Sequence, residues 1–302
     1  MNPFFIVGPT ATGKSEIAGE IACQGNAEIV NADAFQIYRG LDLLTAKPEK
    51  TTLAKAPHHL LGAVPLSEEM NVEKFRAAAM EAIRGIHARG RIAIVAGGSG
   101  LYVKALTHGL SQLPSANAAL RQELDRASVN ELHTRLHELD PEGAKRIDHK
   151  NKRRLVRAVE VCLISGEPFS AQRTEWGRGP SGVNGVLVFR ERAELYARID
   201  RRVEKMFAEG VVEEVRALCR LGSTAEKALG LCEIRALLAG EISEAECVAR
   251  IQQSTRRYAK RQLTWFQRQD NFKPLNLSLH GFPEAIELIA QFARLAFAQR
   301  DD

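Results

Sequence analysis

The sequence predicts an α/β fold, a parallel sheet flanked by helices and interrupted by a helical insertion, and three observations carry that reading. Short apolar runs of strand type alternate with helix-period segments. A glycine-rich turn joins the first such run to the first helical pattern. Between residues 114 and 183 the strand signal stops and helical patterning takes over. The expected organisation is a core formed by 1–113 and 184–302, with a helical C-terminal part, and an insertion domain over 114–183.

Phe4 to Val7 is the first apolar run, and Gly8-Pro9-Thr10-Ala11-Thr12-Gly13-Lys14-Ser15 follows it. A helical pattern through Ile17, Ala18, Ile21 and Ala22 comes next, so the order is strand, glycine loop, helix. Ala27 to Asn31 reads as a second strand running toward Asp33. Ile92 to Ala96 is another, ending at Gly97-Gly98-Ser99-Gly100. The loop matches G-x-x-x-x-G-K-[ST] in its proper context, which makes the expected core P-loop NTPase-like. In such sheets ligands bind beyond the carboxyl ends of the strands, where Lys14, Asp33 and Ser99 all fall.

The insertion is patterned through Leu120 and Leu124, then Leu132, Leu136 and Leu139, then Leu155, Val159 and Leu163. Gly177 to Gly182 is a turn-rich exit, and Val186 to Phe189 reads as a strand returning to the sheet. The rest is mostly helical, with Leu195, Ile199, Val203 and Met206 beside Arg198, Arg202 and Lys205.

At 302 residues, 45% apolar and 26% charged, the chain can bury a sizeable core. No apolar run approaches the roughly 20 residues of a membrane span. The start, Met-Asn-Pro-Phe-Phe-Ile-Val-Gly, lacks the basic region and cleavage site of a signal peptide and reads as the first core strand. The five cysteines are scattered and never spaced as a C-x-x-C pair, which fits reduced thiols in a cytoplasmic protein. A net charge of +5 is compatible with an anionic partner without requiring one.

The chemistry starts at the loop. Its backbone N–H groups and the helix N-terminus face an anion, Lys14 adds a full charge, and Ser15 can ligate a magnesium ion. A nucleotide, ATP above all, is the usual occupant of such a loop. Yet a nucleotide hydrolase usually places a magnesium-binding carboxylate at the end of a neighbouring strand, and Ile92 to Ala96 ends in Gly-Gly-Ser. The strand-end acid near the loop is Asp33, for which a helix N-cap is the competing reading.

Together with Gly8 to Ser15, the runs Asp33 to Tyr38, Gly40-Leu41-Asp42, Thr45-Ala46-Lys47-Pro48, Pro57-His58-His59-Leu60 and Gly97 to Tyr102 resemble the tRNA dimethylallyltransferase family (IPP transferases) in order and spacing. The resemblance continues through Asn151 to Glu160 and Thr255 to Phe266, covering nearly the whole chain. It implies that Gly8, Pro9, Thr10, Ala11, Thr12, Gly13, Lys14 and Ser15 bind the diphosphate of dimethylallyl diphosphate with Mg2+. The implied acceptor is N6 of adenosine 37 in tRNAs reading codons that begin with U. An adenine amino group is a poor nucleophile, so a carboxylate that takes its proton would help, and Asp33 is the candidate. Lys14, Ser99 and, by resemblance, Arg202 would stabilise the leaving diphosphate. A solvated basic face remains the alternative for Arg202, and a helix cap for Ser99, where the family usually carries threonine.

For the tRNA, Arg153, Arg154 and Arg157 form a basic cluster, with a solvated face as the alternative, and the stripe Arg257, Arg261, Trp265 and Arg268 has the composition expected where phosphates and an unstacked base are met. The resemblance extends that assignment to Leu155, Val156, Lys260 and Arg121. Phe35 and Gln36 follow the proposed base and are placed to read the adenine, since an enzyme acting on a loop base must hold it in a pocket. Core packing for Trp265 and a surface helix position for Arg121 stay open. Ala34 replaces the family's serine. Leu229-Gly230-Leu231-Cys232-Glu233 lacks the tyrosine and cation the family favours, so it is not assigned to tRNA. His58 and His59 read as a turn rather than a metal site. Rival readings are a P-loop small-molecule kinase, a prenyltransferase of free adenine nucleotides, and a non-catalytic tRNA-binding protein. The expected enzyme is a cytoplasmic monomer.

Overall fold

β1 (Phe4–Val7) is apolar and buried at every position, because it runs through the middle of a sheet. Successive side chains of a strand point to opposite faces, so Phe4 and Ile6 join one core while Phe5 and Val7 join another. The structure is a computed structural model, and it describes residues 2–111, 113–172 and 184–298. Six strands form one sheet in the order β3-β2-β4-β1-β5-β6. They are β2 (Ala27–Asn31), β3 (His58–His59), β4 (Ile92–Gly97), β5 (Gly185–Phe189) and β6 (Lys273–Asn276) beside β1, and all the pairings are parallel. The expected α/β class with a parallel sheet is therefore the observed one.

Helices cover both faces. α1 (Lys14–Gln24) packs Ile17 and Ile21 against Phe4, Ile6 and Ile94, and α14 (Phe282–Ala298) adds Ile286 and Ile289 to the same core. On the other face lie α3 (Val72–Ala88) and α4 (Gly100–His108), with α2 (Lys50–Leu53) in the connection before them. Later in the chain come α10 (Arg192–Ala208), α11 (Val211–Arg216), α12 (Leu231–Leu238) and the 23-residue α13 (Glu244–Phe266). The register puts Val7 opposite Gly97 and Asn31 opposite Ala96. Three strand ends thus deliver the Gly8 loop, Asp33 and Ser99 side by side.

Two elements depart from the expectation. His58 and His59 are an edge strand on β2 rather than a turn, and His59 Nε2 lies 2.6 Å from Glu28 Oε2. Among the described residues no group of three His, Cys, Asp or Glu side chains is arranged to hold a metal. β6 carries no strand signature in sequence, since Pro274 interrupts it and Leu275 is its single buried residue. It forms at the sheet edge, where a missing N–H is tolerated.

The chain divides into two units, Met1–Thr107 with Pro180–Asp302, and His108–Gly179. The second holds α5 (Ala118–Leu124), α6 (Val129–Leu139), α7 (Pro141–Arg146), α8 (Lys152–Ser165) and α9 (Phe169–Gln172) around Leu124, Leu132, Leu136, Leu155 and Val159. Cys162 faces this core in place of Leu163, which is 37% exposed. Leu155 and Val156, grouped with the tRNA contacts in sequence, are core residues here, because the apolar face of α8 passes through them. Asp140 caps α7 through Gly143 N (2.8 Å) and accepts from Ser170 N (2.7 Å), tying α9 down. The turn-rich stretch from Gly177 to Gly182 lies outside the described residues. No helix among the described residues is long and apolar enough to cross a membrane.

Candidate active site

The loop after β1 needs two glycines for different reasons. A Cβ on Gly8 would lie 2.1 Å from the carbonyl oxygen of Val188, so only hydrogen fits beside β5. Gly13 is left-handed at φ 99° and starts α1. Ala11, between them, also sits at φ 63°, a conformation a non-glycine residue holds only when its surroundings impose it. The surroundings are visible: Arg198 Nε donates to Ala11 O (2.8 Å), Arg190 Nε to Thr12 O (3.0 Å), and Arg202 Nη1 to Thr10 Oγ1 (2.9 Å). Thr10 N donates to Gln262 Oε1 at 2.9 Å. Lys14 Nζ folds back on Pro9 O and reaches Thr12 Oγ1 at 3.5 Å. Burial pulls its pKa down to about 8, with Asp33 opposing the shift and Arg202 adding to it.

Asp33 caps a turn, where the alternative reading had a helix N-cap, and it does so with one oxygen. Its Oδ1 accepts from Phe35 N (2.9 Å) and Gln36 N (3.2 Å). Oδ2 takes no hydrogen bond from the described residues. Ser99 Oγ accepts from Ala34 N at 2.9 Å, and Ser99 O receives Val103 N as α4 begins. The Ser99 hydroxyl therefore positions the backbone right after Asp33. Gln36 Nε2 is committed to Thr45 O and Ala46 O, both at 3.1 Å, so its donors brace the loop that follows rather than stand free. Phe35 lines the cavity described next.

Two spaces meet at Asp33. A polar cleft of about 370 Å³ is lined by Lys14, Ser15, Glu16, Arg198, Arg201 and Lys205 among others. An apolar cavity of about 70 Å³ is lined by Phe35, Leu44, Ile199, Phe207, Ile251 and Tyr258 among others. Thr10, Asp33, Ala46, Arg202 and Met206 border both. Arg202 is fastened at this seam, its Nη2 donating to Ala46 O at 2.7 Å. An anionic head and a small apolar tail could thus lie on either side of one carboxylate and one guanidinium. Magnesium fits the donor set: it keeps waters and phosphate oxygens and needs few protein ligands. Ser15 at the start of α1, with Glu16 and Asp33 on the same cleft, is a set of that kind.

Several site residues received no role from the sequence. Gln262 ties the Gly8 loop to the end of β4, since its Nε2 also donates to Gly98 O at 2.9 Å. Tyr258 borders the apolar cavity, its hydroxyl kept protonated by burial and by the charge of Asp33. Both lie inside the run Thr255 to Phe266 that carries the resemblance, where the basic stripe and Trp265 drew the assignment instead. Arg190 and Arg198 reach the loop from about 180 residues away in sequence.

The residues assigned to nucleic acid are placed unevenly. Arg153 and Arg154 are exposed in the first turn of α8. Arg121 and Arg157 are engaged: Arg121 Nε lies 2.9 Å from Glu160 Oε1 and Arg157 Nη1 lies 2.6 Å from Oε2. Glu160 is fully buried, and Asn117 N donates to it as well (2.8 Å). Burial alone would raise its pKa, but the two guanidiniums and the amide hold it below the usual carboxylate range. Lys260 and Arg261 are exposed on α13, with Arg261 over the Tyr258 ring at 5.7 Å. Trp265 is half-buried, edge-on to Phe266 at 4.9 Å, so packing accounts for part of it. A Cβ on Gly100 would come within 2.5 Å of its indole.

The chain matches the family model described as IPP transferase over residues 36–269. It is 43% identical over 282 residues to the tRNA dimethylallyltransferase of Akkermansia muciniphila, covering 93% of this chain and 96% of that one. It is 42% identical over 278 residues to the tRNA dimethylallyltransferase of Geobacter sulfurreducens, covering 89% of each. A solved tRNA isopentenylpyrophosphate transferase of Bacillus halodurans superposes with a TM-score of 0.74 at 33% identity, covering 99% of this chain and 98% of that one. A eukaryotic dimethylallyltransferase solved acting on tRNA gives a TM-score of 0.78 at 25% identity, covering 91% and 73%. With the family model matching residues 36–269 and relatives similar along nearly their whole length, the chain belongs to the IPP transferase family.

Proposed function

We propose that this protein moves a dimethylallyl group from dimethylallyl diphosphate to N6 of adenosine 37 in tRNAs that read codons beginning with U. The observation that carries the reading is the seam: Asp33 and Arg202 border both the polar cleft and the apolar cavity. The diphosphate lies in the cleft against the loop N–H groups, Lys14 and Arg202, and the five-carbon tail enters the apolar cavity. The adenine N6 attacks C1 of the prenyl group, the C1–O bond breaks, and its electron pair leaves with the diphosphate. Asp33 takes the N6 proton through its uncommitted Oδ2. Lys14, turning from Pro9 O, and Arg202 would meet the diphosphate oxygens where charge grows, the placement that stabilises a transition state most. Magnesium, when bound at Ser15, would neutralise part of the diphosphate charge. The site is assembled within one chain, which supports a monomer, and the tRNA substrate supports a cytoplasmic enzyme.

A small-molecule kinase would need no apolar cavity at the end of its phosphate loop, and β4 ends without the usual acid. To test the reading, the protein is incubated with magnesium, dimethylallyl diphosphate and either an unmodified anticodon stem-loop carrying adenosine 37 or AMP. Mass spectrometry should find prenylated adenosine in the RNA arm alone. Product from AMP, or ATP consumption without prenyl transfer, would replace this reading with one of the rivals. Asp33→Asn should lower kcat by about 10²–10⁴ with tRNA affinity retained, the range for a lost general base.

A further inference from the structure

The wall between cleft and cavity is the segment Asp42 to Lys47, and it is held from behind. Asp42 and Leu43 face the cleft, Leu44 and Thr45 face the cavity, and Ala46 borders both. The segment has little regular structure to support this shape, and Ala46 stands at φ 47°. Three consecutive backbone N–H groups point away from the two spaces and converge on one carboxylate. Asp42 N and Leu43 N donate to Glu214 Oε2 and Leu44 N to Oε1, each at 2.8 Å. Charge-assisted bonds of this kind are about twice as strong as neutral ones. Glu214 itself borders neither space. It sits on α11, which follows the left-handed Gly210 and sends Val211 into the cavity three residues earlier.

From this arrangement we infer that Glu214 is a positioning residue for the prenyl donor. It locks the Asp42–Lys47 wall into the shape that encloses the five-carbon tail and presents the Ala46 carbonyl to Arg202. The inference rests on the proposed function and names a residue outside the motifs that carry it. A neutral amide at this position keeps the size and one acceptor oxygen but puts an NH2 group against at least one of the three backbone N–H groups, and Glu214→Ala removes both acceptors.

The test compares Glu214→Gln and Glu214→Ala with the wild type. The exposed neighbour Glu213, whose carboxylate pairs with Arg216 at 3.0 Å, serves as the control in Glu213→Gln. The readouts are amide hydrogen exchange at Asp42, Leu43 and Leu44 and the affinities for unreactive dimethylallyl thiodiphosphate and for tRNA. Exchange at the three amides should quicken at least about tenfold with loss of their acceptor, and the donor analogue should bind about tenfold more weakly. Affinity for tRNA should stay within about twofold, and Glu213→Gln should match the wild type throughout. Unchanged donor affinity in either folded Glu214 variant overturns the inference, as does an equal loss for donor and tRNA with a lowered Tm. Failure of the wild type to bind the analogue at all removes the proposed function, and this inference with it.

Discussion

Lys14 is placed where its charge is hardest to keep. Burial brings its pKa to about 8, and Arg202 pushes the same way while Asp33 and Glu16 resist. A diphosphate in the cleft would restore the charged form, so donor binding draws on a protonated lysine. Below about 8 the free enzyme already holds that proton. Above it, the donor KM should rise about tenfold per pH unit while kcat at saturating donor shows no break there, since the bound anion keeps Lys14 charged. A pH series of initial rates at fixed tRNA checks it. Asp33 and Lys14 were legible in sequence because each sits in a contiguous motif tied to a strand end. The contacts that Glu214, Gln262, Arg190 and Arg198 make to the site were not, because they span more than 160 residues and end on backbone atoms, which leaves no pattern of side-chain types.

At the scale of elements, α5 and α8 are joined by an ion cluster that a hydrophobic pattern does not reveal. Glu160 lies on the buried face of α8 with Leu155, Val156 and Val159, and it is admitted there because Arg121, Arg157 and Asn117 N satisfy it. Glu160→Ala removes the shared acceptor of Arg121, Arg157 and Asn117 N and should destabilise the insertion by ~2 kcal/mol, read from urea unfolding. Arg121→Ala should likewise cost stability more than tRNA affinity. Helices were well read from sequence where a Leu stripe had clear caps, as in α6, whose Ser128 and Glu131 form a capping box. β6 was missed for the opposite reason: a four-residue edge strand with one buried side chain and a proline has no period to detect.

For the whole molecule, the +5 charge matters through where it is exposed. Arg153 and Arg154 are exposed and, among the described residues, form no ion pair, unlike Arg157. If they meet tRNA phosphates, Arg153→Ala with Arg154→Ala should flatten the slope of log affinity against log salt by about 1 to 2. Binding measured across a salt series checks this, and an unchanged slope removes the pair from the interface.

The close approach of α13 to the end of β4 has a further consequence. A methyl group on Gly98 would land 2.3 Å from Gln262 Nε2, and one on Gly100 would land 2.5 Å from the Trp265 ring. Two short stretches so far apart in the chain therefore behave as one interchangeable part. Grafting the phosphate loop into another scaffold, or swapping α13 between relatives, will succeed only if Gly97 to Gly100 and Gln262 to Trp265 travel together.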